Sequence, residues 1–217
     1  QNRLALRKAD RMAIMLPNLL QYPVALFGAL RAGLTVVNIN PLYTADELQH
    51  QLADAGASAI VVLENFAHTL ATALPKTPVR HVVMTQLGDL HPPLKRWIVN
   101  FVVKHVKRMV PRWRIPGALG FREALNEGSR ATLEKIDLGA DDIAFLQYTG
   151  GTTGRSKGAI LTHGNMVANV EQTAAWARTT LVEGAETVIT ALPLYHIFAL
   201  TANLFLFLKL GGNDVLI

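Results

Sequence analysis

The sequence predicts an α/β fold in which alternating β-α units build a mainly parallel sheet covered by helices. Three observations point there. Short apolar runs alternate with segments that carry helix start and stop signals. The runs are apolar on both faces, as strands covered by helices on both sides must be. Half of the 217 residues are apolar and only 17% are charged, which suits a chain with a large core and not a disordered one.

Arg11–Leu16 reads as the first strand. Pro17-Asn18 ends it and opens a helix to about Arg31, which Gly33 stops. Leu34–Asn38 is a second strand, broken by Pro41. Thr44 and Glu47 have capping-box spacing for a helix through Ala53, and Gly56 ends that helix. Ser58–Leu63 and Arg80–Thr85 are further strands, with a helix over Phe66–Leu74 between them. Phe121–Gly128 is a short helix. Ile143–Gln147 is an apolar strand that runs into a glycine-rich loop, and Gly158–Thr162 is the strand after it. Thr162 or Asn165 caps a helix through Trp176. Thr187–Ala191 is a strand, followed by a long apolar helix to Leu210 and a strand beginning at Asp214. The uninterrupted apolar core of that helix is too short to span a bilayer.

Residues 87–120 break this rhythm. The formal net charge is +5, yet His91 to Arg114 holds seven Lys and Arg and no acid. The remaining residues carry fourteen basic and sixteen acidic side chains. Basicity is therefore one local patch, and no nucleic-acid-binding module accompanies it, so a nucleic-acid role has little support. Prolines bracket Leu94–Val110. On a helical wheel Leu94, Ile98, Phe101, Val102, Val106 and Met109 share a broad face, while Val103 and Val110 point off it. Lys95, Arg96, Trp97, Lys104, Lys107 and Arg108 are candidates for contact with an anionic membrane surface. The alternative is an ordinary packed helix with a solvated basic side. No cysteine is present, which removes disulfides, thiolate metal sites and a cysteine nucleophile. No secretory leader is expected in the polar residues 1–10. The expected location is cytoplasmic, with a peripheral contact on the inner face of the cell membrane.

The loop Tyr148-Thr149-Gly150-Gly151-Thr152-Thr153-Gly154-Arg155-Ser156-Lys157-Gly158 holds four glycines, three threonines, a serine and two cations, with no acid. Glycines let backbone approach an oxyanion closely. Successive N–H groups form an anion-binding concavity, and hydroxyls donate to phosphate or ligate a metal. Lys157 is a compact charge on a long stem. The stretch is not a Walker P-loop, because no Gly-Lys-Ser/Thr occurs, and adjacent Gly150 and Gly151 exclude Gly-x-Gly-x-x-Gly. The bland alternative is a flexible Gly/Thr turn.

This loop, with Leu161-Thr162-His163-Gly164-Asn165 after it, resembles the phosphate loop of the adenylate-forming enzymes, the acyl-CoA synthetase and luciferase superfamily. Asp10–Asn18, Leu30–Gly33 and Asn40–Thr44 resemble the N-terminal region of that family, and Leu192-Pro193-Leu194-Tyr195-His196 its next motif. The segment around Lys95-Arg96-Trp97 is most similar to bacterial long-chain fatty acid–CoA ligases. The resemblance covers almost the whole chain. It implies part of the large N-terminal AMP-binding domain over residues 1–217, with 91–114 as a basic amphipathic insert. The later adenine-binding motifs and the small C-terminal domain with its lysine are expected beyond Ile217, and the chain alone is expected to make no acyl-CoA.

The resemblance implies ATP, Mg²⁺, CoA and a long-chain fatty acid as cofactors and substrates in fatty acid metabolism. Tyr148, Thr149, Gly150, Gly151, Thr152, Thr153, Gly154, Ser156 and Lys157 would bind nucleotide. Lys157 and His196 are the catalytic candidates, and Thr149 is a candidate Mg²⁺ contact. Asp141 and Asp142 should lie at the far end of the strand, so the magnesium carboxylate is expected elsewhere. Phe198, Leu200, Leu204, Phe205 and Phe207 are candidate lining for an acyl tunnel, with core packing as the alternative. His196 has the alternative of a core histidine at a helix start. Two other functional readings stand beside this one: an adenylating ligase for another carboxylic acid, and a non-catalytic nucleotide- or membrane-binding module. Chain-length preference and oligomeric state are not legible.

Overall fold

A computed structural model describes residues 4–132, 134–149 and 156–217. Among these, β1 (Arg11–Met15), β2 (Thr35–Asn38), β3 (Ala59–Leu63), β4 (His81–Thr85), β5 (Leu119–Gly120), β6 (Ile143–Thr149) and β7 (Lys157–Thr162) form one sheet. Its order is β5-β4-β3-β1-β2-β6-β7. All neighbours are parallel except β6 and β7, which are antiparallel. β8 (Thr187–Thr190) and β9 (Asn213–Leu216) form a separate parallel pair.

Helices cover both faces, which explains the two-sided apolar strands. Every residue of β3 is buried. One core layer packs Ile14, Val36, Phe145 and Leu26 beneath α1 (Gln21–Arg31), and α6 (His163–Ala177) adds Met166 to it. The other packs Ala13, Val37 and Ile60 beneath α2 (Ala45–Asp54) and α3 (Ala67–Ala73). The capping box at α2 is present: the Glu47 N–H donates to Thr44 Oγ1, and the Thr44 N–H donates to a Glu47 carboxylate oxygen at 2.8 Å. A second box starts α6, with Thr162 as the cap and Asn165 completing it. Gly33 and Gly56 lie at φ +72° and +61°, the left-handed geometry that ends a helix at low cost in glycine.

Two expectations need correction. First, α1 begins at Gln21 and not at Asn18. The Asn18 amide is used over a long range instead: it donates to the carbonyls of Thr190 and Leu192 and accepts from the Leu194 N–H. Second, the basic helix is shorter and rotated. α4 (Pro93–Phe101) continues as a π-helical turn over Val102–Val106, and α5 (Phe121–Gly128) follows β5. Val103, off the wheel's apolar face, is the residue that is buried, at 8% exposure. Leu94, Trp97, Ile98, Phe101, Val106 and Met109 are exposed, Leu94 at 73% and Trp97 at 65%.

Polar anchoring decides that orientation. Asn100 accepts from the Gly88 N–H at 2.7 Å and donates to Gln86 Oε1 at 2.8 Å. Lys104 reaches the buried Glu64 carboxylate at 3.4 Å. Gly88 sits so close to the helix that a Cβ there would lie 2.7 Å from Asn100 Oδ1 and 2.9 Å from the Arg96 carbonyl oxygen. Gly88→Ala is therefore expected to destabilise the fold by about 1–3 kcal/mol and to raise protease cleavage within residues 93–106. Chemical denaturation and limited proteolysis check this, and an unchanged unfolding midpoint would show that α4 is not held by that close approach.

Candidate functional site

The connection between β6 and β7 spans residues 150–156, too short for a parallel crossover of about a dozen residues. The two strands therefore fold back as a hairpin, and its register sets Thr149 opposite Lys157. Thr149 and Lys157 are exposed and Ser156 is half-buried, so two hydroxyls and one ammonium group gather at the mouth of the hairpin. Gly150, Gly151, Thr152, Thr153 and Gly154 lie outside the described residues. Asp142 sits at the opposite end of β6, where Lys8 contacts its carboxylate at 2.8 Å. The Lys8 side chain and the Gly139 N–H hold that carboxyl below the usual aspartate range.

Tyr148 points to the other face of the sheet. Its ring covers Gly158, where a Cβ would lie 2.9 Å from a ring carbon. Its hydroxyl donates to Asp54 at the end of α2. Burial and that carboxylate push the phenol above the usual tyrosine value. The Tyr148 side chain thus belongs to the α2 core layer, and the loop mouth receives its backbone.

The loop 191–196 crosses the same end of the sheet. His196 is exposed, at the N-cap of α7 (Ile197–Ala199), and its ring lies 4.6 Å from that of Tyr195. It is not a core histidine. α7 runs into a π-helical segment, Leu200–Phe205, and then α8 (Leu206–Lys209). Leu200 and Leu204 pack in the core and Phe198 is 66% exposed. Phe207 lies against Gly212. Only Phe205 among the tunnel candidates lines the apolar groove of about 360 Å³ formed with Phe27, Phe145 and Met166.

Sequence reasoning missed the side chains that fasten this loop. Gln147, buried on β6, donates to the Tyr195 carbonyl at 2.9 Å. Asn38 on β2 donates to Gln147 Oε1 at 3.1 Å. The hydroxyl of fully buried Tyr22 lies 2.8 Å from both Asn38 Oδ1 and the Leu194 carbonyl oxygen. The available signal was polar residues inside apolar strands, which must find partners when buried. Among the described residues no group of three or more His, Asp or Glu side chains could hold a metal ion. No helix among them is long and apolar enough to cross a membrane.

A parallel sheet with an acid-free Gly/Thr/Lys hairpin at the carboxyl end of its strands defines a domain of the nucleotide-handling class. The match is specific: the chain belongs to the family described as AMP-binding enzyme, across residues 1–217. It is 59% identical over 217 residues to a long-chain-fatty-acid–CoA ligase of Escherichia coli O6:H1, covering all of this chain and 39% of that relative. A ligase of the same name from Haemophilus influenzae is 53% identical over 220 residues, again covering 39% of the relative. The chain thus spans well under half the length of the curated relatives it matches. A solved long-chain-fatty-acid–CoA ligase from Archaeoglobus fulgidus superposes with a TM-score of 0.76 at 27% identity, over 99% of this chain and 36% of that one. ATP-bound MatB from Rhodopseudomonas palustris gives 0.76 at 25% identity, over 100% and 36%.

The buried phenol of Tyr22 has a measurable consequence. Burial holds its pKa far above the ordinary value of about 10. Above that pH the unfolded chain loses the proton and the folded chain keeps it, so stability falls as pH rises. Tyr22 is expected to contribute about 1.4 kcal/mol per pH unit to that slope. Denaturation of Tyr22→Phe between pH 9 and about pH 12 should give a shallower decline, and an identical slope would contradict the assignment.

Proposed function

We propose that this chain is the N-terminal part of an ATP-dependent ligase that activates a long-chain fatty acid as its adenylate and then transfers the acyl group to CoA. The observation that carries the reading is 53–59% identity across the chain to relatives named long-chain-fatty-acid–CoA ligase. The hairpin geometry supports it, because Lys157 faces Thr149 at an exposed mouth.

In this reading the fatty carboxylate oxygen bonds to the α-phosphorus of ATP as the bond to pyrophosphate breaks. The CoA sulfur then bonds to the acyl carbon and AMP leaves. Reactions of this kind depend on positioning and charge stabilisation more than on covalent help from protein. Thr149, Ser156 and the backbone of residues 150–154 hold the β- and γ-phosphates. Lys157 offsets charge on the departing pyrophosphate. His196 closes the wall beside the fatty carboxylate. Mg²⁺ would supply further charge neutralisation. The Thr149 hydroxyl is one contact for it, but a magnesium site usually also needs a carboxylate, and the described residues at the mouth offer none.

The test uses a full-length ligase that carries this chain, assayed against a panel of carboxylic acids. Acids with long alkyl chains are expected to give the highest kcat/KM. Lys157→Ala should lower kcat for carboxylate-dependent pyrophosphate release by about 100- to 1,000-fold. Preference for a small aromatic acid would favour an adenylating ligase for another substrate. ATP binding with no carboxylate-dependent chemistry would favour a non-catalytic nucleotide-binding module.

The exposed face of α4 favours a second, compatible role: peripheral contact with an anionic membrane. Trp97 and Phe101 stack with ring centroids 5.4 Å apart, and Lys95, Arg96, Lys107 and Arg108 flank them in the sequence. Lys104 is the exception, since it is engaged by Glu64. Each cation near an anionic bilayer contributes about 1 kcal/mol, so Lys95, Arg96 and Lys107 changed together to Glu should abolish co-sedimentation with phosphatidylglycerol vesicles. Undiminished binding would rule out this face.

A further inference from the structure

The phosphate-loop strand and the His196 loop are separated in sequence by β7, α6 and β8, yet they must act on one substrate if the ligase reading holds. The backbone hydrogen bonds of the sheet do not join them. The β6 strand pairs with β2 and β7, and the 191–196 loop leaves β8, which pairs only with β9 among the described residues. Side chains bridge the gap.

The bridge has a fixed direction. The Tyr195 carbonyl can only accept, so Gln147 must turn its NH₂ toward Tyr195 and its oxygen toward Asn38. Asn38 must then turn its NH₂ to Gln147 and its oxygen to Tyr22. The Tyr22 hydroxyl carries one proton for two acceptors, Asn38 Oδ1 and the Leu194 carbonyl. Every member is buried, with Tyr22 at 0%, Asn38 at 3% and Gln147 at 4% exposure. Water is thus poorly placed to replace a lost member. The two ends of the chain of bonds grip adjacent carbonyls, Leu194 and Tyr195, immediately before His196. Gln147, the end that holds the Tyr195 carbonyl, lies two residues before Thr149 on the same face of β6.

We infer that Gln147 is a positioning residue: through Asn38 and Tyr22 it sets the His196 loop against the strand that carries Thr149. Neither Gln147 nor Tyr22 touches substrate in this assignment. Each acts by fixing where the His196 backbone begins. The inference rests on the ligase reading for its catalytic consequence, but its structural content does not.

Three variants test it in a full-length ligase carrying this chain. Gln147→Met keeps the volume and removes both hydrogen bonds. Tyr22→Phe removes one proton at the other end. The third variant combines them. Each single variant is expected to lower kcat for carboxylate-dependent ATP–pyrophosphate exchange, by up to about 100-fold for Gln147→Met, with the KM for ATP nearly unchanged. Because the two side chains act through one relay, the double variant should lose about as much as the worse single variant and not the product of both. A merely structural role would instead follow thermal stability and would leave the kcat effects independent.

Amide hydrogen exchange supplies a readout that does not need the reaction. In Gln147→Met the amides of residues 194–197 should exchange at least about tenfold faster, while those of β3 remain protected. Tyr22→Phe, the milder change, serves if Gln147→Met folds poorly. Unaltered exchange at 194–197 in a folded variant overturns the inference, whether or not the enzyme is active. Multiplying kcat losses would overturn it as well. A wild-type protein that exchanges pyrophosphate with no carboxylic acid would instead overturn the ligase reading, and the exchange data would still decide the relay.

Discussion

The pairing of β2 with β6 joins the first and second halves of this chain. Its ladder matches Val36 with Phe145 and Val37 with Leu146, residues more than a hundred positions apart. Thr35 extends it at one end by donating to the Ile143 carbonyl. At the other end the ladder passes from backbone to side chain, where Asn38 donates to Gln147. Two apolar pairs and two polar ones fix the height of β6 in the sheet, and that height fixes where the glycine-rich hairpin emerges. A slip of one residue would send Phe145 and Gln147 to the opposite face. Phe145 would leave the α1 layer and Gln147 would be buried without partners, so both the apolar and the polar residues select the same register.

The same logic explains why the amphipathic face of α4 is a poor guide to its docking. Periodicity assigns a helix to a core by its greasiest stripe. Here the buried side is chosen by Asn100 and Lys104, which satisfy the Gly88 N–H, Gln86 and the Glu64 carboxylate. A buried carboxylate without a counter-charge is costly, and rotating α4 to bury Leu94, Ile98 and Phe101 would leave Glu64 with the Gln86 amide and no cation. The π-helical turn at Val102–Val106 then shifts the phase of the residues that follow.

Much of the fold was readable because its signals are local. Strand alternation with helices, the Thr44 box and the glycines at 33 and 56 depend on a few adjacent residues each. The antiparallel hairpin was implied by the short connection between two strands, although the sequence reading did not draw that conclusion. What escaped were long-range partnerships. Asn18 reads as a helix cap until its amide is found on Leu192 and Leu194. Gln147 reads as one polar residue in a strand, and only the fold reveals the Tyr195 carbonyl above it. The wheel of residues 94–110 failed because it scored hydrophobicity and had no access to Glu64. At the loop, composition makes Thr149, Ser156 and Lys157 candidates to face an anion, but cannot tell that the Tyr148 side chain turns away to Asp54.

The placement of acids completes the electrostatic argument for the hairpin. A polyphosphate site gains from an approach free of negative charge, since like charges in a partly desolvated mouth repel strongly. Asp142 and Asp54 both lie close to this strand pair, and each is engaged away from the mouth. Asp142 is held at the far end of β6 by Lys8. Asp54 is engaged by the Tyr148 hydroxyl on the opposite face of the sheet. Gly158 permits that second arrangement, because a side chain there would collide with the ring that covers it. Two of the motif's residues, Tyr148 and Gly158, therefore direct the strand's neighbouring acid away from the mouth, and Lys157 faces it without a carboxylate among the described residues to neutralise it. The motif reads as a phosphate cradle from its hydroxyls and glycines, and the fold gives Tyr148 and Gly158 a separate task within it.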